Sequence, residues 1–192
     1  MISKSEISEQ KQSLRRKLRA EIAAVPEKDL AEKSKIITVR LVAAIAGFTG
    51  KTIGIYNSVQ GEPDISSLLD LKFQFCLPAL VEKDSPLIFR EYVPGDLLEP
   101  NHLYNKIMQA SPGSREILPD ILIIPLLGFD ETGSRLGRGA GYYDRTLKFL
   151  KGKKKIITIG TGFEIQKIPQ IPTLPHDQKM DLIVTENRIY RF

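Results

Sequence analysis

Residues 121–150 join an apolar run, a glycine-rich segment and a helical pattern without interruption. The apolar run, ILIIPLL at 121–127, reads as a buried strand, although periodicity alone also allows a buried helix. The glycine-rich segment, RLGRGAG at 135–141, follows a polar turn that contains Gly133. Residues 142–150 then have the apolar spacing of a helix. The succession is therefore a strand, a glycine-rich loop and the start of a helix.

This glycine-rich loop has the composition of an anion-binding site. Its three glycines, Gly137, Gly139 and Gly141, allow backbone angles and close approaches that a side chain forbids. Successive N–H groups can then point at one anion, and the N-terminus of the following helix adds its dipole. Arg135 and Arg138 supply planar guanidinium groups that bind phosphate or carboxylate. A flexible glycine turn with solvated arginines is the alternative that these residues leave open.

The spacing of the loop differs from that of two well-known nucleotide-binding motifs. It lacks the lysine-serine ending of a P-loop, and it lacks the G-x-G-x-x-G spacing of the dinucleotide-binding fold. Asp144 is the only carboxylate in the tight part of the segment. Beside bound phosphates, the natural role of such a carboxylate is to hold a magnesium ion.

The net charge and the single cysteine narrow the class of protein. The chain has 192 residues, a net charge of +5 and a pI near 9.2, which suits either nucleic acid or small polyanionic ligands. Cys76 can form no internal disulfide and no cysteine-cluster metal site, which fits a reducing cytoplasm. The first residues lack the apolar core of a signal peptide, and no apolar run approaches membrane-spanning length. A cytoplasmic protein without a membrane partner is therefore expected.

Apolar periodicity divides the chain into alternating helices and strands. Two amphipathic helices are predicted at about 5–25 and 27–46, separated by Pro26. This alternation is typical of an α/β protein with a mixed or mostly parallel sheet flanked by helices. No repeat or linker divides the chain, so one domain over residues 1–192 is expected. The strands are predicted at 52–56, 73–81 with a break at Pro78, 87–92, 121–127, 156–160, 182–185 and 188–192.

Two segments resemble the signature of a known enzyme family. IPLLGFD at 124–130, followed by RLGRGAGYYDR at 135–145, is similar to the pattern of the 5-formyltetrahydrofolate cyclo-ligases, also called methenyltetrahydrofolate synthetases. The resemblance extends from Lys11 to Asp181 and implies a single open-sheet α/β domain. It also implies ATP- and Mg²⁺-dependent cyclisation of 5-formyltetrahydrofolate to 5,10-methenyltetrahydrofolate, with release of ADP and phosphate. The implied partners are ATP and a folate with or without a polyglutamate tail, and no nucleic acid; a monomer is expected.

A basic pair in the first predicted helix extends the resemblance. Lys11 and Arg15 are four residues apart and therefore project from one helical face. The residues alone favour a solvated basic helix, and Arg19 is assigned to that surface. The family has a K-x-x-x-R pair here, so the resemblance implies that this helix reaches ATP phosphates and that Lys11 and Arg138 are catalytic. The ATP-binding residues that it implies are Lys11, Gln12, Ser13, Leu14, Arg15, Arg135, Leu136, Gly137, Arg138, Gly139, Ala140, Gly141, Tyr142 and Tyr143.

The polar loop after the first predicted strand is the candidate folate site, because open α/β sheets place ligands at the carboxyl ends of their strands. From the residues alone, Glu62 is interpreted as a solvated loop glutamate. The resemblance implies that it contacts the pterin, whose amino-pyrimidine edge can donate two hydrogen bonds to a carboxylate. One of the tyrosines at 142 and 143 is expected to pack in the core, and the resemblance places Tyr142 near the substrate. The implied substrate-binding residues are Asn57, Glu62, Arg138, Gly139, Ala140, Gly141 and Tyr142.

Two carboxylates are the implied ligands of Mg²⁺. Asp144 belongs to the Y-Y-D motif, and Asp181 matches a late aspartate that precedes a strand in the family. Asp177 is a nearby rival for this role and also a candidate cap. The histidines, His102 and His176, lie in no metal-binding spacing, so neither is assigned as a ligand or base.

Two further stretches bear on the function. Residues 105–110, NKIMQA, stand where the family has an I-P-E-P-like segment, and they lack its prolines and glutamate. The run KGKKK at 151–155 is expected to be the solvated end of a helix, and we hypothesise that it steers a polyglutamate tail. Because this run and the net charge are also compatible with RNA, a non-catalytic nucleotide- or RNA-binding module on the same fold is the alternative function.

Overall fold

The computed structural model of the chain describes residues 3–104 and 107–192. Within these ranges the helices are α1 (Lys4–Ala23), α2 (Glu27–Ile45) and α3 (Tyr142–Lys151), with short 3₁₀ turns at Ser66–Asp70 and Glu164–Gln166. The strands are β1 (Thr52–Gly54), β2 (Gln74–Ala79), β3 (Ile88–Tyr92), β4 (Leu98–Pro100), β5 (Met108–Ala110), β6 (Ile121–Pro125), β7 (Gly128–Phe129), β8 (Arg135–Leu136), β9 (Ile157–Thr161), β10 (Leu182–Val184) and β11 (Ile189–Arg191).

Seven of these strands form the main sheet, in the order β11-β10-β9-β6-β1-β2-β3. The five central strands are parallel to one another, whereas β3 and β11 pair antiparallel at the two edges. Two short hairpins, β4–β5 and β7–β8, lie outside this sheet. The predicted α/β class with a mostly parallel mixed sheet and flanking helices is confirmed.

The central strand β6 shows why the apolar run is continuous. Ile121 and Ile123 belong to the buried cluster that contains the apolar side of α2, whereas Leu122 and Ile124 belong to the cluster that contains Leu147 of α3. Successive residues of a strand face opposite sides, so a strand covered by helices on both faces needs apolar residues at every position. The buried strand is therefore confirmed over the buried helix.

Helix α1 lies over a third and smaller cluster. Ser3 and Glu6 form a capping box at its start, which satisfies two N–H groups that the first turn leaves without partners. Leu18 and Ile22 pack against Leu127, which precedes the β7–β8 hairpin, and Leu136, which belongs to β8. The burial of this apolar stripe holds α1 beside the hairpin that leads into the glycine-rich loop.

Two differences from the predicted strands have simple causes. Strand β2 runs through Pro78 without the predicted break, because only residues 74–76 pair with β1 and Pro78 pairs with β3 alone. The hairpins β4–β5 and β7–β8 are absent from the predicted strands. Their strands have only two or three residues and are too short to give an alternating pattern in the sequence. Across the described ranges, no helix has both the length and the apolar composition to cross a membrane.

Candidate active site

The segments that follow β1 and β6 bring the candidate site together. Both strands run parallel, so the loop that begins at residue 55 and the segment from 126 onward leave the sheet at the same edge. The second segment passes through the β7–β8 hairpin and becomes the glycine-rich loop, residues 137–141. Gly139 and Gly141 have φ of +115° and +70°, a region that side-chain-bearing residues rarely adopt. Gly141 in this conformation starts α3.

Helix α1 contacts the backbone of this loop. Arg15 Nε donates to the Gly137 carbonyl at 2.9 Å, and Arg19 Nη2 donates to the Arg138 carbonyl at 3.3 Å. A Cβ atom on Gly139 would lie 3.5 Å from the Arg15 guanidinium carbon. The structure thus brings the predicted basic helix to the predicted loop. Arg19 was assigned to the surface from the sequence, and it is exposed, but it also contacts the loop. Its spacing of four residues from Arg15 places both side chains on one helical face, and this spacing could have indicated the contact.

Lys11 lies one turn earlier on α1 and points to a different segment. Its side chain is 9% exposed, and its ammonium contacts Asp177 Oδ2 at 2.5 Å. The same carboxylate oxygen accepts the N–H of Leu174 at 2.6 Å. Asp177, considered from the sequence only as a rival metal ligand or cap, is therefore the ion-pair partner of the predicted catalytic lysine.

Arg135 connects this segment to the first turn of α3. Its guanidinium donates to the Gln178 carbonyl through Nη1 and to Asp144 Oδ1 through Nη2, the latter at 2.7 Å. Asp144 Oδ1 also accepts the Gln178 N–H at 3.1 Å. The Arg135 side chain is only 4% exposed, and its guanidinium bonds to Asp144 and to the Gln178 carbonyl. Its predicted contact with ATP stays a prediction.

Arg138 faces the opposite side of the loop. Its Nε donates to Glu62 Oε1 at 2.8 Å, and its Nη2 donates to the Gln60 carbonyl at 3.1 Å. The Val59 N–H donates to the other Glu62 oxygen at 3.2 Å. Burial raises the pKa of Glu62, and the Arg138 guanidinium opposes that rise. A predicted phosphate-binding residue and a predicted folate-binding residue are thus directly paired.

The two tyrosines at the start of α3 have different surroundings. Tyr143 packs against the cluster under α3, and burial raises its pKa well above the ordinary value. The Tyr142 hydroxyl lies 3.4 Å from that of Tyr104, and the Arg145 guanidinium lies over the Tyr142 ring at 5.0 Å. Tyr143 is therefore the core residue of the pair, and Tyr142 is the one available to a flat ligand.

The remaining predicted residues are mostly exposed. Asn57 lines a pocket of about 290 Å³ that extends to Tyr92 and Leu98 over the β2–β3 part of the sheet. Leu14 packs against the α1 cluster, and Leu136 is buried in it. The predicted pocket wall at 105–110 lies partly outside the described residues; the part that is described includes β5, which pairs with β4. Gln12, Ser13 and Ala140 are exposed.

The two predicted Mg²⁺ ligands have separate partners. Asp144 lies beside Arg135, whereas Asp181 Oδ2 accepts the N–H and hydroxyl of Thr158 at 2.8 and 2.7 Å, at the start of β9. Among the residues that the structure describes, no group of three or more His, Cys, Asp or Glu side chains could hold a metal ion. A site shared by Asp144 and Asp181 stays a prediction.

Within the 151–155 run, Lys154 lies at the end of the sheet opposite the candidate site, whereas Lys151 Nζ lies 3.5 Å from Gln178 Oε1. Lys154 pairs with Asp120 at 2.7 Å, and Asp120 also accepts the Thr52 N–H at the start of β1. Asn57 lies beyond the other end of that strand. That the run steers a folate tail stays a hypothesis.

Comparison with known proteins decides the family. A model of the 5-formyltetrahydrofolate cyclo-ligase family matches residues 7–186. The chain belongs to this family. A 5-formyltetrahydrofolate cyclo-ligase of Escherichia coli is 31% identical over 150 residues, which cover 73% of this chain and 81% of that protein. Its counterpart in Haemophilus influenzae is 31% identical over 167 residues, covering 82% and 86% of the two chains.

The fold of this chain is shared with a solved structure. The NMR structure of Aquifex aeolicus 5,10-methenyltetrahydrofolate synthetase superposes with a TM-score of 0.80 and 24% sequence identity. The match covers 94% of this chain and 92% of the Aquifex chain. The predicted family is therefore confirmed by sequence, and the α/β fold by structure.

Proposed function

We propose that the protein catalyses the ATP- and Mg²⁺-dependent cyclisation of 5-formyltetrahydrofolate to 5,10-methenyltetrahydrofolate, with release of ADP and phosphate. Family membership supports the reaction. The structural observation that carries the proposal is the 2.8 Å pair between Arg138 and Glu62. It joins the predicted phosphate-binding loop to the predicted folate-binding loop, so the two substrates would meet at this junction.

The chemistry requires activation of a formamide. The formyl oxygen is a poor leaving group, so it first attacks the γ-phosphorus of ATP, and ADP departs. The N10 nitrogen of the folate then attacks the formyl carbon and releases its proton to solvent, and the oxygen leaves as phosphate with closure of the ring. The work of the protein is mainly positioning and neutralisation of charge, as in other phosphoryl transfers.

Each side chain has a role consistent with its surroundings. Arg138 and Lys11 would bind phosphate oxygens and offset the charge that develops on transfer. Arg15 would stabilise the loop through Gly137 and contribute its remaining N–H groups to phosphate. Glu62 and Tyr142 would orient the pterin, one through hydrogen bonds and the other through its ring.

Asp144 fits a magnesium ion that is bound together with a nucleotide. Such ions are held by one or two carboxylates, with phosphate oxygens and water as the other ligands. Asp144 Oδ1 accepts hydrogen bonds from Arg135 and Gln178, and these bonds orient the carboxylate while Oδ2 receives none from the described residues. When bound, the ion would neutralise phosphate charge. Asp181 is proposed as a second ligand on the strength of the sequence motif.

A direct assay tests the proposal. The protein is mixed with 5-formyltetrahydrofolate, with and without MgATP, and the near-ultraviolet absorbance of the methenyl product is followed. Absorbance that rises only with MgATP is the expected result. No product at any ATP concentration, from protein that is folded, would refute the function.

The RNA-binding alternative has little structural support. Within the basic run, Lys154 is paired with Asp120 and the Lys153 ammonium lies over the Phe149 ring at 5.6 Å. These lysines are therefore partly committed to contacts within the protein. We further propose a monomer located in the cytoplasm, where the free thiol of Cys76 would stay reduced. Sedimentation at several concentrations tests the monomer.

A further inference from the structure

The ion pair between Lys11 and Asp177 joins two segments that are 166 residues apart in the chain. Lys11 is 7% exposed overall, although it stands on a helix whose other inward residues, Leu18 and Ile22, are apolar. A buried ammonium is strongly unfavourable without an opposite charge. Asp177 supplies that charge at 2.5 Å.

The Asp177 carboxylate is itself held in place. Its Oδ2 accepts the Leu174 N–H at 2.6 Å, and its own N–H donates to the Leu174 carbonyl at 3.0 Å. The side chain is therefore part of a closed turn over residues 174–177. An acceptor fixed by backbone hydrogen bonds determines where the flexible lysine side chain ends.

This turn lines a pocket of about 220 Å³ whose other walls include Arg135, a predicted phosphate-binding residue. Arg135 and Gln178 line the same pocket, and both are bonded to Asp144. Asp177 is also close enough to Arg15 to raise the pKa of that guanidinium, against the larger lowering by burial. The carboxylate thus lies among the three cations Lys11, Arg15 and Arg135.

We propose that Asp177 is a positioning residue that holds the Lys11 ammonium in place for binding of ATP phosphate. An ammonium has three N–H donors, and one is used by Asp177, so two remain for phosphate oxygens. Asp177 then acts on ATP through Lys11 and is not a ligand of Mg²⁺. This inference depends on the proposed function of Lys11 in binding ATP.

The test compares Asp177→Asn in two backgrounds. In the wild type, the change should raise the KM for MgATP roughly tenfold, as expected for weakening one charge-assisted hydrogen bond, and leave the KM for folate unchanged. In a Lys11→Met background, the same change should have no further effect, because no ammonium is left to position. Asp177→Glu should recover part of the ATP affinity. Glu131→Gln, which removes a surface pair with Lys167, is the matched control.

Three results would overturn the inference. The first is an unchanged KM for MgATP in Asp177→Asn. The second is an equal loss in both backgrounds. The third is an effect that excess Mg²⁺ abolishes, since the carboxylate would then be a metal ligand. If Asp177→Asn does not fold alone, Lys11→Met is compared with Lys11→Met/Asp177→Asn, in which no buried ammonium lacks a partner.

Direct binding separates this inference from the proposed reaction. Calorimetric titration with MgATP in the absence of folate reports the Lys11–Asp177 coupling without turnover. Wild-type protein that binds MgATP but forms no methenyl product would refute the reaction. The same titrations of the variants would still decide whether Asp177 acts through Lys11.

Discussion

Replacing Glu62 with glutamine removes the charge of the predicted pterin-binding carboxylate while keeping its shape. The side chain is 9% exposed, and it pairs with Arg138, which is 49% exposed. Burial raises the pKa of Glu62 above its ordinary value of 4.5, so the ionised form is disfavoured in the folded protein. The contribution of Glu62 to the free energy of unfolding is therefore fully present below its unfolded pKa, where the carboxyl is protonated. That contribution is lost as pH rises from 4.5 through the higher pKa of the folded state.

Glu62→Gln should therefore have a small effect on stability and a large effect on substrate binding. Two terms act on stability: the buried charge disappears, and a pair with a half-exposed arginine is weakened by at most about 1 kcal/mol. The net change in unfolding free energy should stay within about 1 kcal/mol, or roughly 4 °C in Tm for a domain of this size. As pH rises through the titration of Glu62, the free energy of unfolding of the wild type should fall relative to that of the variant.

Binding of 5-formyltetrahydrofolate should change much more than stability. A hydrogen bond to a charged group is worth about 1.5–3 kcal/mol, so the KM for 5-formyltetrahydrofolate should rise roughly 10- to 150-fold. The KM for MgATP should change by about fivefold at most, because only the screened pair with Arg138 connects Glu62 to the phosphate loop. Initial rates from methenyl absorbance, with each substrate varied in turn, measure both constants.

Two outcomes would refute this reasoning. An unchanged KM for folate would mean that Glu62 serves only to pair with Arg138. A loss of thermal stability far beyond about 4 °C, with activity lost in proportion, would mean that the pair is a structural element of the two loops. Glu131→Gln, an exposed carboxylate paired with Lys167, is the control for removal of a charge alone.

Four further predictions concern individual side chains. Arg138→Ala should lower kcat/KM by about 10- to 150-fold, through loss of one charge-assisted phosphate contact, and unchanged kinetics would leave the loop a simple turn. Asp144→Asn should raise the Mg²⁺ concentration needed for half-maximal rate. Asp181→Asn should also raise the Mg²⁺ requirement, and it should lower the free energy of unfolding by about 1 kcal/mol because Asp181 bonds to Thr158. Lost stability with an unchanged Mg²⁺ requirement would mean that Asp181 only caps the start of β9. Cys76, whose pKa burial raises to about 12, should resist alkylation at pH 8 until the protein unfolds; prompt labelling of folded protein would contradict its burial.

The local pattern of the chain was enough for much of the fold and for the glycine-rich loop. The apolar run at 121–127 predicted a buried strand, and β6 occupies most of it. The spacing of Gly137, Gly139 and Gly141 predicted a loop with special backbone angles, and the last two have positive φ. These features follow from neighbouring residues, because helical and strand periodicity and glycine conformations act within a few positions.

The partners of the charged side chains were decided only by the tertiary structure. Lys11 and Arg15 share a helical face, yet Arg15 contacts the glycine-rich loop and Lys11 contacts Asp177. Glu62 and Arg138 are 76 residues apart and meet because β1 and β6 are adjacent parallel strands whose following loops leave the same edge. Sequence separation carries no information about such pairs. The order of strands in the sheet and the docking of α1 on its apolar stripe determine which charges become neighbours.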